Sequence, residues 1–538
     1  MKAKLKLLFV ALFTMLLFVA CSSGDKSGGA DENIEVNKEG FPIVDEELEM
    51  SLMAPGVGIA EWEDMPALQE YAEKTNISFK YNTPPSDDFA TNLNLAFSSG
   101  DVADIIYAAG TDNLTPGDEV SYGEQGILLP LEDLIDEYAP NIKALFEENP
   151  DIEKSVTTND GHIYSLPMVS TDHRSIWPTG PIWYNGKWLD ALDVEELPKT
   201  TDEFYDLLVR FRDEDPNGNG EADEIPLSNV EMESIRPFLL SAFGLKEQDI
   251  QEFDGEVVYG ATHENYKEYL KYMNKLYDEK LLDNEVYSQS DDQKKAKGQE
   301  NRLGAFTDYF SYFTTGETDE EAVNNPMFHP LTSEFSDEPM VPISDGIVRG
   351  TFSLTKDNPS PEASIRWVDY FYSEEGGLYI NQGPEGYLWE WDEDGEKKIE
   401  LETPEGYDSS EDYRATIVPD YGISVPKLGA TLRAGEEGYV NKEKSVTDEM
   451  TREETKEKME PFGEVPYPKV YLTNDEQKEI NDIQVDLESY VEQMEAKFIT
   501  GVESIDDKWD DYVETIEKMN LDRYIEIYQD AYDRWNEG

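Results

Sequence analysis

The sequence predicts an α/β protein with more than one lobe and a helical C-terminus, and three observations carry that prediction. Its 538 residues suffice for two or three cores, and 38% hydrophobic with 12% aromatic residues is a globular composition. Between Leu48 and Ala108 strand-like and helix-like patterns alternate as β-α-β-α-β, which dictates a mostly parallel sheet covered by helices. From Ile480 to Trp535 apolar side chains recur at helical spacing in three successive stripes.

The chain opens with Lys2, Lys4 and Lys6 before an apolar run from Leu7 to Ala20, the layout of a secretory signal. Phe18-Val19-Ala20-Cys21 resembles the lipobox of bacterial lipoproteins, with Phe18 in place of the usual Leu. Residues 1–20 are therefore expected to be a signal peptide. Cys21 is expected to carry lipid, with 21–45 as a polar tether holding the protein to the outer face of the cytoplasmic membrane. Cys21 is the one cysteine, so the chain has neither a disulfide framework nor a cysteine metal site. No other apolar run approaches the ~20 residues that a bilayer demands.

After the tether, Leu48 to Met53 reads as a first strand, and Asp64 is placed to cap a helix with Pro66 in its first turn. Ile77 to Tyr81 alternates as a second strand. A helix carrying Phe89, Leu93 and Phe97 stops at Gly100, and Ala103 to Ala108 makes a third strand. Ligands of such sheets bind beyond the carboxyl ends of the strands, here around Pro55 to Trp62 and around Ala109 to Asn113, which includes Asp112. Further on, Ile182 to Leu189 reads as a strand, and Thr200-x-x-Glu203 is a capping box for a helix whose stripe is Phe204, Leu207, Leu208 and Phe211. Asp345 to Ser353 reads as another strand, followed by a helix opened by Ser360-Pro361 and running to Tyr372. The charge-rich stretch Glu436 to Glu460 reads as a surface loop with some helix.

The capped helix runs straight into Asp215-Pro216-Asn217-Gly218-Asn219-Gly220-Glu221-Ala222-Asp223-Glu224-Ile225-Pro226, which is written like a calcium loop. Side-chain oxygens fall at loop positions 1, 3, 5, 9 and 10, Gly220 at position 6 allows the sharp bend, and the Glu221 carbonyl stands at position 7. A hard cation takes about 6 to 8 oxygens. Position 12, where an EF-hand has a bidentate Glu, is Pro226, so Glu224 has to close the shell. The expected ligands of a structural Ca2+ are Asp215, Asn217, Asn219, Glu221 through its carbonyl, Asp223 and Glu224.

This loop and its flanks resemble the extracellular solute-binding proteins of family 1, in the branch with the alginate-binding receptors of carbohydrate ABC importers. Gly161 to Pro167, Leu303 to Tyr309, Gly383 to Trp389 and Phe498 to Tyr532 extend the resemblance over nearly the whole mature chain. It implies a type II-like periplasmic-binding-protein fold whose two lobes are joined by several crossings. It implies lobe 1 at 46–168 plus 340–445, and lobe 2 at 169–339 plus 446–538 with the calcium loop 215–226. It also implies capture of an oligosaccharide for an ABC permease.

Composition narrows the ligand. With 44 Lys+Arg against 118 Asp+Glu and a formal charge of −74, the chain lacks the basic face that nucleic acid requires, so no such partner is expected. Sugar recognition uses flat apolar rings and a few polar groups, and 9 Trp and 31 Tyr supply the rings. Trp62, Trp177, Trp389 and Trp391 fall at the expected lobe junctions, with Phe306, Asp308, Tyr309 and Glu385 in segments the resemblance brings to the cleft. Trp367, Trp509 and Trp535 lie on helical stripes and read as core. His162, His173, His263 and His329 are isolated, with no zinc, nucleophile-elbow or phosphate-loop motif, so the expectation is a monomeric binding protein and not an enzyme. Acid pairs are abundant enough to keep a secreted calcium-dependent glycoside hydrolase as the alternative, and the acidity keeps a receptor for cationic peptides as a third.

Overall fold

The computed structural model describes residues 34–170, 176–177, 179–407, 410–429, 439–440 and 445–537. The signal segment, Cys21, most of the tether and His173 lie outside the described residues. From Val36 onward the chain is one compact unit built on two α/β sheets.

The first sheet orders its strands as Leu428–Gly429, Leu166–Ser170, Ile347–Leu354, Ile105–Tyr107, Leu48–Met53 and Ile77–Asn82. Leu48–Met53 pairs parallel with Ile77–Asn82 and with Ile105–Tyr107, as the β-α-β-α-β reading requires. Ile347–Leu354 enters antiparallel to both of its neighbours. The core under this sheet gathers Met53, Phe89, Leu93, Phe97, Ile106 and Tyr164. Trp367 closes its other side against Phe79 and Tyr107, with ring centroids 5.1 and 5.8 Å away.

The second sheet has Leu303–Thr307 in the centre, antiparallel to Ile182–Tyr184 and parallel to Ile225–Ser228. The strand expected over Ile182 to Leu189 stops early because Asn185 caps a helix: its side chain accepts from the Lys187 and Trp188 amides, and the chain turns into Gly186–Ala191. The core of this half joins Trp183, Trp188 and Phe211 to Tyr269 and Met273 and then to Phe498, Trp509 and Tyr512 of the C-terminal helices. Those helices are Asn474–Ile499, Ile505–Glu517 and Leu521–Glu537, matching the three stripes.

Two local expectations give way. Asp64 lies in the short 3-10 turn Trp62–Asp64, and Met65 stands at the N-cap of Pro66–Thr75 with no side-chain bond. The described part of the charge-rich stretch is mostly the helix Val446–Lys458, whose Thr447, Thr451 and Thr455 are fully buried. Threonines four residues apart share one helix face, so polar letters conceal a packed surface.

Among the described residues, segments at the junction of the two sheets are tied to one another. Val341 pairs with Gly463, the Ser344 amide donates to the Ile176 carbonyl at 2.9 Å, and the Trp177 indole N–H donates to Thr455 Oγ1 at 3.1 Å. The last crossing is tied to the first sheet by Arg349, which donates to the Val470 carbonyl at 3.1 Å and lies 4.4 Å from the Tyr471 ring. Buried Glu119 accepts from Ser165 Oγ at 2.6 Å and Tyr471 Oη at 2.7 Å. Burial raises its carboxyl above the ordinary range, against the pull of Arg349.

Candidate ligand-binding site

The parallel strands Ile225–Ser228 and Leu303–Thr307 end side by side, and a parallel sheet offers its ligand site beyond such carboxyl ends. The residues that follow are Asn229 on one strand and Asp308-Tyr309 on the other. Gly180 of the first crossing lies so close that a Cβ there would be 2.5 Å from the Asp308 carbonyl, so the approach needs glycine. The Trp183 indole fixes that carbonyl at 2.9 Å.

Here a cavity of about 230 Å³ is lined by Gly180, Asn229, Asp291, Lys294, Asp308 and Tyr309, among others. Lys294 is buried, with Nζ 2.7 Å from the Thr307 carbonyl, 3.0 Å from Asp291 Oδ1 and 3.6 Å from Asp308 Oδ2. Asp308 also accepts from Thr314 Oγ1 at 2.6 Å and from the Tyr309 amide at 2.7 Å. Burial works against the Asp291 carboxylate, but hydrogen bonds from Lys295 and Lys294 hold it below the ordinary range.

Beside the cavity stands a crest of rings. Tyr309 is 48% exposed, with its centroid 5.4 Å from Trp177 at an interplanar angle of 63°. Phe310 stacks on Tyr312 at 5.2 Å, and Phe313, 46% exposed, meets Tyr312 edge-on at 4.9 Å. Flat faces next to convergent polar groups are what a saccharide ring needs on its two kinds of surface.

The scan for protein families matches the bacterial extracellular solute-binding protein model over residues 59–378, well over half of the chain. The chain belongs to the bacterial extracellular solute-binding proteins. Among curated relatives of this receptor is the fructooligosaccharide ABC transporter substrate-binding protein FusA of Streptococcus pneumoniae serotype 4, 28% identical over 97% of each chain. Another is the polygalacturonan/rhamnogalacturonan-binding protein YtcQ of Bacillus subtilis, 23% identical over 54% of this chain and 56% of that one. The structure of FusA in complex with kestose superposes with a TM-score of 0.70 at 27% identity, covering 91% of this receptor and 99% of that chain. A second FusA structure, described as an EF-hand mutant in complex with fructo-nystose, gives the same values.

Of the ring and acid residues expected at the receptor's cleft, the structure brings Trp177, Asp308 and Tyr309 together. Phe306 is a correction: it is the penultimate residue of the central strand and its side chain is wholly buried in the second core, closed to any ligand. Trp62 is 1% exposed against Tyr107, edge to face at 5.7 Å, and offers no open face in this conformation. Asp112 is exposed on the turn beyond Ile105–Tyr107. Glu385, Trp389 and Trp391 line a separate groove of about 630 Å³ along the helix Pro66–Thr75, where Lys398 Nζ lies 3.9 Å from the Trp389 ring centre. Sequence reasoning missed Phe310, Tyr312 and Phe313, although Tyr-Phe-Ser-Tyr-Phe directly after a strand was signal enough.

The loop at 215–226 is the second feature of note. The Asn217 and Asn219 amides both donate to Asp223 Oδ1, at 3.1 and 2.9 Å, and Arg302 Nε lies 3.1 Å from Asp223 Oδ2. The Gly220 amide donates to Asp215 at 3.2 Å. Glu224 Oε1 is buried with no partner, and burial raises its carboxyl above the ordinary range, with the charges of Asp215 and Asp223 adding to the rise. A cation would satisfy an orphaned buried oxygen that faces like charges, and half a turn of either amide presents oxygen in place of nitrogen, so the residues fit Ca2+. Among the described residues no cluster of three acidic, His or Cys side chains is already drawn together for a metal. Closing the shell therefore requires these local rotations.

The three described histidines have structural partners. His162 pairs with Glu132 at 2.5 Å, His263 caps a helix by accepting from the Asn265 amide at 3.1 Å, and His329 contacts the Pro330 carbonyl at 2.7 Å. Among the described residues no helix is long and apolar enough to cross a membrane.

Proposed function

We propose that this receptor captures an oligosaccharide outside the cell and delivers it unchanged to an ABC import permease. The observation that carries the reading is the Trp177–Tyr309–Phe313 crest beside a polar cavity at the carboxyl edge of the second sheet. A sugar lies with its C–H face on exposed Tyr309 and its hydroxyls toward Asp291 and Asp308. The crossings let the lobes close over it, the carboxyl edge of the first sheet supplying the opposite wall. One relative named as a fructooligosaccharide ABC transporter substrate-binding protein and another named as a polygalacturonan/rhamnogalacturonan-binding protein support the class. The six-stranded sheet, which takes in Ile347–Leu354 and Leu428–Gly429, and the core that joins the second sheet to the C-terminal helices support lobes at 46–168 plus 340–445 and at 169–339 plus 446–538, with Val341 at the junction packed into the second core.

One stacked ring contributes ~1 kcal/mol beyond its burial, so Tyr309→Ala should weaken saccharide binding at least about fivefold in a calorimetric titration. The ring is half exposed, so the melting temperature of the free protein should hardly move. Unchanged affinity in Tyr309→Ala counts against the crest.

In the same reading Asp215, Asn217, Asn219, the Glu221 carbonyl, Asp223 and Glu224 hold a structural Ca2+ that fixes the end of Thr201–Asp213 to the second sheet. Cys21 carries the membrane anchor. Two or more acyl chains hold a protein firmly where one does so marginally, so Cys21→Ala should move the protein from the membrane fraction to the medium. Retention of the variant in the membrane would place the anchor elsewhere.

A further inference from the structure

We propose that the cavity beside Tyr309 selects an uncharged, hydroxyl-bearing end of the saccharide and rejects a uronate, an inference that rests on the oligosaccharide reading above. At about 230 Å³ the cavity is smaller than the ~300 Å³ of the smallest usual ligand pockets, so it suits one ring at a chain end. Its chemistry is set by Lys294. Its ammonium has the Thr307 carbonyl at 2.7 Å and Asp291 Oδ1 at 3.0 Å within hydrogen-bond distance, and Asp308 Oδ2 faces it as a second anion at 3.6 Å. Its charge is therefore already met by two carboxylates of the protein before any ligand carboxylate arrives. Asn229 is committed as well, its amide donating to the Glu231 carbonyl at 3.0 Å and its oxygen accepting from Thr307 Oγ1.

What the cavity offers a ligand is therefore acceptor capacity on Asp291 and Asp308. Among the described lining residues two carboxylates stand against one ammonium. Sugar hydroxyls donate to such oxygens, whereas a uronate would place a third carboxylate among them, and like charges brought together are the usual means of rejecting a wrong partner. Asp291 and Asp292 also occupy the first turn of Asp291–Gln299, so the positive end of that helix is already matched by its own side chains.

The test is calorimetric titration of the full mature protein with kestose, an oligogalacturonide and a chitosan oligosaccharide, repeated on Asp291→Asn and Asp308→Asn. Kestose should bind wild type more than tenfold tighter than the galacturonide, and either variant should narrow that ratio severalfold by releasing Lys294. The preference should persist near 1 M NaCl, where the screening length is ~3 Å, because it arises from contacts and not from the overall charge. Equal or tighter binding of the galacturonide overturns the proposal, as does a ratio that salt abolishes or that both variants leave unchanged. Preference for the amine-bearing chitosan sugar shows that the carboxylates select cations instead. If no saccharide of any class binds, the oligosaccharide reading itself falls.

Discussion

Glu495→Ala should cost this receptor about 3–5 kcal/mol of stability, the usual loss when one member of a buried ion pair is removed. Glu495, on the long helix Asn474–Ile499, is 2% exposed and receives Arg236 in a two-point grip, Nε at 3.0 Å and Nη2 at 2.6 Å. Burial disfavours the Arg236 cation, and Glu495 outweighs that cost to hold it firmly protonated. Alanine leaves the guanidinium uncompensated between the second sheet's core and the C-terminal helices. A free energy of urea unfolding that changes by less than about 1 kcal/mol would show the pair to be incidental. Replacing both partners with apolar residues of similar volume should recover much of the loss, since the isolated charge is what destabilises.

Removal of the proposed calcium should have the second large effect. With free Ca2+ at about 100 times its dissociation constant, the ion proposed at 215–226 would add ~2.7 kcal/mol to the cooperative unit containing that loop. EDTA should lower the melting temperature while leaving the choice of saccharide unchanged, because the loop serves the fold and not the cavity. Asp223→Ala should reproduce the shift without chelator, having removed the carboxylate on which Asn217, Asn219 and Arg302 converge. A melting curve that EDTA leaves unchanged, together with no calcium on metal analysis, would remove the ion from the account.

The sequence made some of this legible because local rules and tertiary packing agreed. Strand period, the Gly100 stop and an apolar third strand specify β-α-β-α-β, and the pairing Leu48↔Ile77 and Leu52↔Ile105 follows. The cation loop is local, so its spacing is visible without the fold. Ring residues are different. Phe306 and Tyr309 lie three positions apart at one strand end, yet one is core and the other half exposed. Which strand residue faces the core depends on a sheet assembled from Ile182, Ile225 and Leu303, segments far apart in sequence. Trp389 and Trp391 are on one short strand, and the hairpin that sets their groove was not apparent from a Gly-x-Glu-Gly-aromatic run. Thr447, Thr451 and Thr455 hid a buried helix face behind polar residue types.

The central claim is that saccharide is bound and returned unaltered. Its most direct test is to equilibrate the purified mature protein with kestose, measure the amount retained, then release the sugar and determine its length by chromatography. Retention of saccharide by the protein, with every molecule recovered at full length, is the predicted result. Recovery of shortened sugar would make the protein a hydrolase, and retention of cationic peptides but of no saccharide across a broad panel would make it a peptide receptor.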